Sequence, residues 1–88
     1  MDTVKKKKFK SDAHNLKPVV MIGQAGLTAA VLAEIESALD IHELIKVKIR
    51  AERDARKAIC DEICASTKAE LVQSIGQIIV IYRLNPKK

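Results

Sequence analysis

The sequence predicts a two-layer α/β domain with a four-stranded mixed sheet, built in the order helix, strand, helix, strand, helix, hairpin. Three stretches carry that prediction. Val19-Val20-Met21-Ile22 is a short apolar run that leads into a glycine-bounded loop and a helix start. Ile45-Lys46-Val47-Lys48-Ile49-Arg50 alternates apolar and basic residues at the period of a strand. Ile78-Ile79-Val80-Ile81 is apolar throughout and follows the turn pair Gly76-Gln77.

From the N-terminus, residues 1–4 are expected to fray. Lys5 to Asn15 can form a helix whose narrow apolar stripe is Phe9, Ala13 and Leu16. Lys5, Lys6, Lys7 and Lys8 repel one another, which weakens that helix in isolation. Pro18 then blocks helix and starts the first strand, Val19 to Ile22, which reads as covered on both faces. Gly23 and Gly26 permit backbone angles that a Cβ resists. Thr28 is placed to cap the second helix, which runs to about Leu39 with Val31, Leu32, Ile35, Ala38 and Leu39 inward and Glu34, Ser37 and Asp40 outward.

Asp40 to Leu44 connect to the second strand. Its inward residues are Ile45, Val47 and Ile49, and its other face is a row of Lys46, Lys48 and Arg50 about 7 Å apart. A right-handed crossover from strand one is expected. Helix three spans about Glu52 to Ser66, with Arg53, Arg56 and Lys57 at the end that the helix dipole disfavours for cations. Lys68 stands where a glycine commonly ends a helix, and a left-handed lysine there costs about 1 kcal/mol. Leu71–Ile75 and Ile78–Tyr82 form a hairpin, with Gly76 first in a type II′ turn. Strand four, apolar on both faces, belongs inside the sheet. Residues 85–88 trail off.

With 88 residues there is room for one domain, residues 1–88, and one core. A hydrophobic fraction of 48% supports packing, and 31% charged residues support a soluble surface. No apolar run approaches the roughly 18 residues of a membrane span, and no apolar segment follows the basic start as in a secretory signal. A cytoplasmic protein without a membrane partner is expected. Cys60 and Cys64 suit a reducing compartment.

The net charge of +5 is segregated. Six lysines lie in residues 1–17, no lysine or arginine in residues 18–45, and six basic residues in 46–57. That pattern favours a polyanion over a small neutral substrate. Catalysis finds no support. His14 and His42 have no orienting acid or nucleophile, and the cysteine pair lacks the second pair of a zinc site. The glycine loop has neither the lysine of a P-loop nor the third glycine of a dinucleotide fingerprint. Neither cofactor nor metal is expected. Phe9 and Tyr82 are the only aromatic residues, which argues against base stacking on aromatic platforms. Recognition would rest on backbone phosphates and shape. The amides of the loop and of the Thr28 helix start can receive a phosphate, although a tight turn without a ligand is the plainer reading of the loop alone.

Several stretches together resemble one family. They are Ala13-His14-Asn15-Leu16-Lys17-Pro18-Val19-Val20, Ile22-Gly23-Gln24-Ala25-Gly26-Leu27-Thr28, Val31-Leu32-Ala33-Glu34-Ile35, His42-Glu43-Leu44-Ile45-Lys46-Val47-Lys48, Val72-Gln73-Ser74-Ile75-Gly76 and Val80-Ile81-Tyr82-Arg83. In this order they resemble the CRM domain family, and the length resembles its stand-alone YhbY-like bacterial members. The resemblance implies an RNA-binding domain related in fold to the C-terminal domain of translation initiation factor three. It also implies association with precursors of the large ribosomal subunit, in an assembly role. Carried over by position, Gly23, Gln24, Ala25 and Gly26 become the RNA-contact loop. From the charge pattern, the Thr28 helix start would position phosphate together with the loop, and Lys5 to Lys8, Lys17, Lys46, Lys48 and Arg50 would supply the field, on one surface or on several. The chain departs from the family pattern in three ways. Gln24 and Ala25 stand where a basic residue is frequent, Gln77 stands at another such place, and Lys68 replaces a common glycine. A second reading is a protein-interaction module, docking on a ribosomal protein or a second copy through the acidic helix two or an uncovered face of the hairpin.

Overall fold

The computed structural model describes residues 3–84. The expected fraying concerns residues 1–2 and 85–88, which lie outside the described residues, whereas Thr3 and Val4 are already helical. The elements are α1 (Thr3–Ala13), β1 (Pro18–Ile22), α2 (Ala29–His42), β2 (Leu44–Ile49), α3 (Arg53–Thr67), β3 (Glu70–Ile75) and β4 (Ile78–Tyr82). They form one four-stranded sheet in the order β1-β2-β4-β3. β1 and β2 run parallel across the α2 crossover, and the other two pairings are antiparallel.

The period-two pattern of β2 decides which way the sheet faces. Ile45, Val47 and Ile49 are buried to 1% exposure or less. They meet Ile79 and Ile81 of β4, Val20 and Ile22 of β1, Ile35 and Leu39 of α2, and Cys60 and Ile63 of α3. This sheet-and-helix-pair layering is the principal core. A smaller core lies on the opposite face, where Ala13 of α1 packs on Val72 and Val80 with Phe9, Leu44 and Tyr82 around it. Phe9 and Tyr82 stack with ring centroids 4.3 Å apart. Helix α1 is thus a partial cover on the second face. Central β4 is buried by Val80 on one side and by Ile79 and Ile81 on the other, as its apolar run predicts.

β1 differs from its expected double-sided burial. It is an edge strand, with Val20 and Ile22 buried while Val19 and Met21 are 48% and 55% exposed. Met21 pairs with Lys48 on the face that carries α1, and α1 lies over β2 and β3 instead. The register slips between Pro18 and Val20, where a proline without an N–H fits an edge.

Local signals fare better. Thr28 caps α2, its hydroxyl accepting from the Val31 N–H at 3.2 Å. The helix outruns its expected end by most of a turn. It stops at Glu43, whose N–H donates to the Leu39 carbonyl and whose φ of 63° is strained for a residue with a Cβ. Lys68 ends α3 in the left-handed conformation, φ 61° and ψ 25°. Gly76 has φ 56° while Gln77 is not at positive φ, the type II′ pattern.

Arg83 binds the end of β4 to both core helices. Its guanidinium donates to Glu36 Oε2 at 2.7 Å, to Asp40 Oδ1 at 2.8 Å and to the Thr67 carbonyl at 2.9 Å. The Glu36 hydrogen bond raises the Arg83 pKa further and desolvation opposes it. The Arg83 charge is therefore neutralised by two carboxylates of α2.

Candidate nucleic-acid interface

Three strand ends meet at one end of the sheet. β1 ends into the glycine loop, β2 ends at Ile49, and β4 begins after the Gly76-Gln77 turn. Backbone bonds tie them together. The Arg50 N–H donates to the Ile22 carbonyl at 2.9 Å, and the Ile49 N–H donates to the Gln77 carbonyl at 2.7 Å. The loop itself is a turn closed by the Gly26 N–H on the Gly23 carbonyl at 3.1 Å. Gly26 has φ 75°, so this position needs a glycine. Gly23 does not occupy the left-handed region, contrary to the expectation for both glycines.

Several amides in and just after this turn are not used within the fold. Among the described residues, the N–H groups of Gln24, Ala25, Ala29 and Ala30 have no protein acceptor. The last two are the first-turn donors of α2, at the positive end of its dipole. At the start of the loop is a concavity of about 690 Å³ lined by Gly23, Gln24, Arg50, Ala51, Glu52, Arg56 and Gln77. It holds two guanidinium groups against one carboxylate. The Arg56 side chain is fixed, since Nη1 donates to the Ala51 carbonyl at 2.8 Å. Arg56 also borders a second groove, about 670 Å³, where Arg53 and Lys57 face Leu71 and Ser74 across the hairpin side of α3.

The fold brings some of the expected residues together and separates others. Gly23, Gln24 and Arg50 line the loop concavity, with Ala25, Gly26 and Thr28 in the same loop and cap. Lys48 lies one row from that end, and Lys46 lies two residues further in beside the C-terminal turn of α1. Lys17 stands at the start of β1, a strand length from the loop, in a hollow with Leu16 and Val19. Lys5 to Lys8 belong to the far end. Ala13 sits on Val80 and Phe9 on Tyr82, so going back along α1 leads away from the hairpin. The basic residues are therefore two groups and not one continuous field.

Arg56 and Gln77 complete the loop concavity, and neither counts among the residues expected to contact RNA. A signal for Arg56 was present. Arg53, Arg56 and Lys57 crowd the helix end where cations are disfavoured, an arrangement that an anion would relieve. For Gln77 the resemblance gave a signal, a place where a basic residue is frequent, but its position beside Gly23 and Arg50 depends on which strand ends are neighbours. On α2, Glu36 and Asp40 are taken up by Arg83, while Glu34 is exposed. Cys60 is buried and hydrogen-bonded with Cys64. That bond and burial push the Cys60 thiol pKa up, and the same bond pulls Cys64 down. No group of metal-binding side chains occurs among the described residues, and no described helix is long and apolar enough to cross a membrane.

Comparison with known proteins gives one consistent family. The model of the CRS1 / YhbY (CRM) domain matches residues 1–83. The chain is 58% identical over 83 residues to the probable RNA-binding protein PA4753 of Pseudomonas aeruginosa, covering 93% of this chain and 80% of that one. It is 52% identical over 84 residues to an RNA-binding protein of Haemophilus influenzae, covering 94% and 85%. The solution structure of the hypothetical protein SAV1595 from Staphylococcus aureus superposes with a TM-score of 0.81 at 38% identity, covering 96% of this chain and 90% of that one.

Proposed function

The chain belongs to the CRS1 / YhbY (CRM) domain family, and we propose on that premise that it is a non-catalytic RNA-binding protein of the cytoplasm. Its targets are precursors of the large ribosomal subunit, whose assembly it assists. Relatives named as RNA-binding proteins support the first part. The observation that carries the reading is the loop end of the sheet. Gly23 and Gln24 of the glycine loop line one concavity with Arg50, Arg56 and Gln77, and the unbonded amides of the loop and of the α2 start follow within a few residues of chain.

Each component has a separate task. The turn and helix-start amides orient phosphate oxygens by direction and distance. Arg50 and Arg56 supply charge, and Lys48 extends it along the sheet. Gln24 and Ala25 bring no charge, so the loop contributes geometry and the arginines contribute attraction. A docking role for the acidic helix has less to work with, because Glu36 and Asp40 already hold Arg83.

The test is binding to large-subunit ribosomal RNA fragments and precursor particles across a salt series. Each phosphate contact steepens the log–log slope by about 0.7–0.9. A flat slope, or no binding at low salt, would sink the proposal. Crosslinking in cells followed by sequencing of the bound RNA tests the target, with recovery of large-subunit ribosomal RNA as the expected result.

A further inference from the structure

Helix α1 leaves much of its sheet face open. It lies over the Tyr82 end through Phe9 and over the sheet centre through Ala13. Toward the hairpin, the strand register sets four residues in one row across the whole sheet. Met21 pairs with Lys48, Lys48 with Ile78, and Ile78 with Ile75. Met21 and Ile75 are 55% and 63% exposed. One row further in, Lys46 pairs with Val80 and Val80 with Gln73. Between these rows and the last turn of α1 runs a groove of about 560 Å³. Ile75, Ile78 and Val80 form its floor, and Lys10, Lys46 and Gln73 stand on its walls. Among the described residues no carboxylate lines it.

These walls and this floor define a ligand. It must have a flat apolar surface for the aliphatic floor and a polar edge for the Gln73 amide, which both donates and accepts. It must also carry negative charge next to Lys10 and Lys46. The volume lies within the roughly 300–1,000 Å³ of small-ligand sites. An unpaired nucleotide meets all three conditions. A paired base does not, because its faces are stacked and its edge is engaged. Phe9 and Tyr82 do not compete for the role, since they stack on each other.

The groove also adjoins the loop concavity. Ile75 and Ile78 line the groove, and Gln77 between them lines the concavity. From Gln77 to Val80 is roughly 10 Å along an extended strand. Lys48 lies on that path, in register with Ile78. We propose that the groove between α1 and the sheet is a base subsite, which takes an unpaired nucleotide of the RNA strand whose phosphates are held at the loop end. This rests on the RNA-binding reading above. It departs from the expectation that backbone and shape alone are read. Scarcity of aromatic residues excludes an aromatic platform, and the platform here is aliphatic.

The experiment uses three probes: a mixed-sequence single-stranded oligoribonucleotide, the same strand with abasic residues, and an RNA duplex of equal charge. The native protein should bind the intact strand about tenfold more tightly than the abasic one, in the lower half of what a base stacked on an aromatic side chain contributes. In Ile75→Ser/Ile78→Thr, which changes an exposed and a half-buried residue, that preference should fall to about one. Duplex affinity and salt slope should not change. Equal, salt-dependent binding of intact and abasic strands by the native protein would overturn the subsite and leave the RNA-binding reading standing. So would a tenfold preference retained in the variant. Failure to bind any of the three probes at low salt would overturn both.

Discussion

Removing the two guanidinium groups at the loop end isolates the charge that holds RNA there. Arg50 is exposed, and Arg56 is held in place by the Ala51 carbonyl at 2.8 Å. If each meets one phosphate, Arg50→Gln/Arg56→Gln lowers the slope of log affinity against log salt by roughly 1.4–1.8. Between 50 and 200 mM salt the native protein then loses about 7- to 12-fold more affinity than the variant. The assay is fluorescence anisotropy with a short labelled RNA, too short to reach the far end of α1, at four or five salt concentrations. Arg56→Gln also loses a hydrogen bond worth about 1 kcal/mol, so a thermal melt accompanies each titration. Lys6→Gln/Lys7→Gln/Lys8→Gln is the control, because those residues lie toward the opposite end of the sheet. An unchanged slope in the arginine variant, or an equal drop in the lysine variant, would refute the assignment of charge to the loop end.

Four other outcomes are expected. Gly26→Val forces a β-branched residue to φ 75° into otherwise open space. Binding should weaken at every salt concentration with the slope kept, and a slope that falls as in the arginine variant would show that the loop acts through charge. Lys68→Gly relieves a left-handed lysine, so the protein gains about 1 kcal/mol and a melting temperature higher by about 4–8 °C; calorimetry checks it. Arg83→Met removes the guanidinium bonds to Glu36, Thr67 and Asp40 and should cost about 2–3 kcal/mol, most of it from the less exposed partners, measured by urea unfolding. Cys64, its pKa lowered by the Cys60 hydrogen bond, should be alkylated at lower pH than Cys60, whose thiol the same bond and burial push up; mass spectrometry after a pH series of iodoacetamide labelling reads both.

Features set by a few neighbouring residues could be read before any coordinates. The cap at Thr28, the II′ turn at Gly76 and the inward triplet Ile45, Val47 and Ile49 each follow from steric limits or side-chain period. The central place of β4 followed from its apolar content on both faces. By the same logic β1 was expected to be covered twice. A run of four apolar residues does not say whether a neighbouring helix reaches both faces, and α1 falls short of Met21.

The sequence alone determined the order of elements, the capped loop between Gly23 and Thr28, and a separation of charge that points to a polyanion. Its local chemistry suffices for these, because each depends on residues within a turn or two of chain. The tertiary structure decided the strand order, and with it everything that depends on distant residues becoming neighbours. Strand order brings Gln77 to Gly23 and Arg50, and the packing of α3 adds Arg56. Strand pairing lines up Met21, Lys48, Ile78 and Ile75. Arg83 meets Glu36 forty-seven residues back and ceases to be a surface cation. Phe9 lies on Tyr82, which sets Lys5 to Lys8 toward the end of the sheet opposite the loop. In each case the sum of core packing and backbone pairing selects the neighbour, and no local pattern encodes that choice.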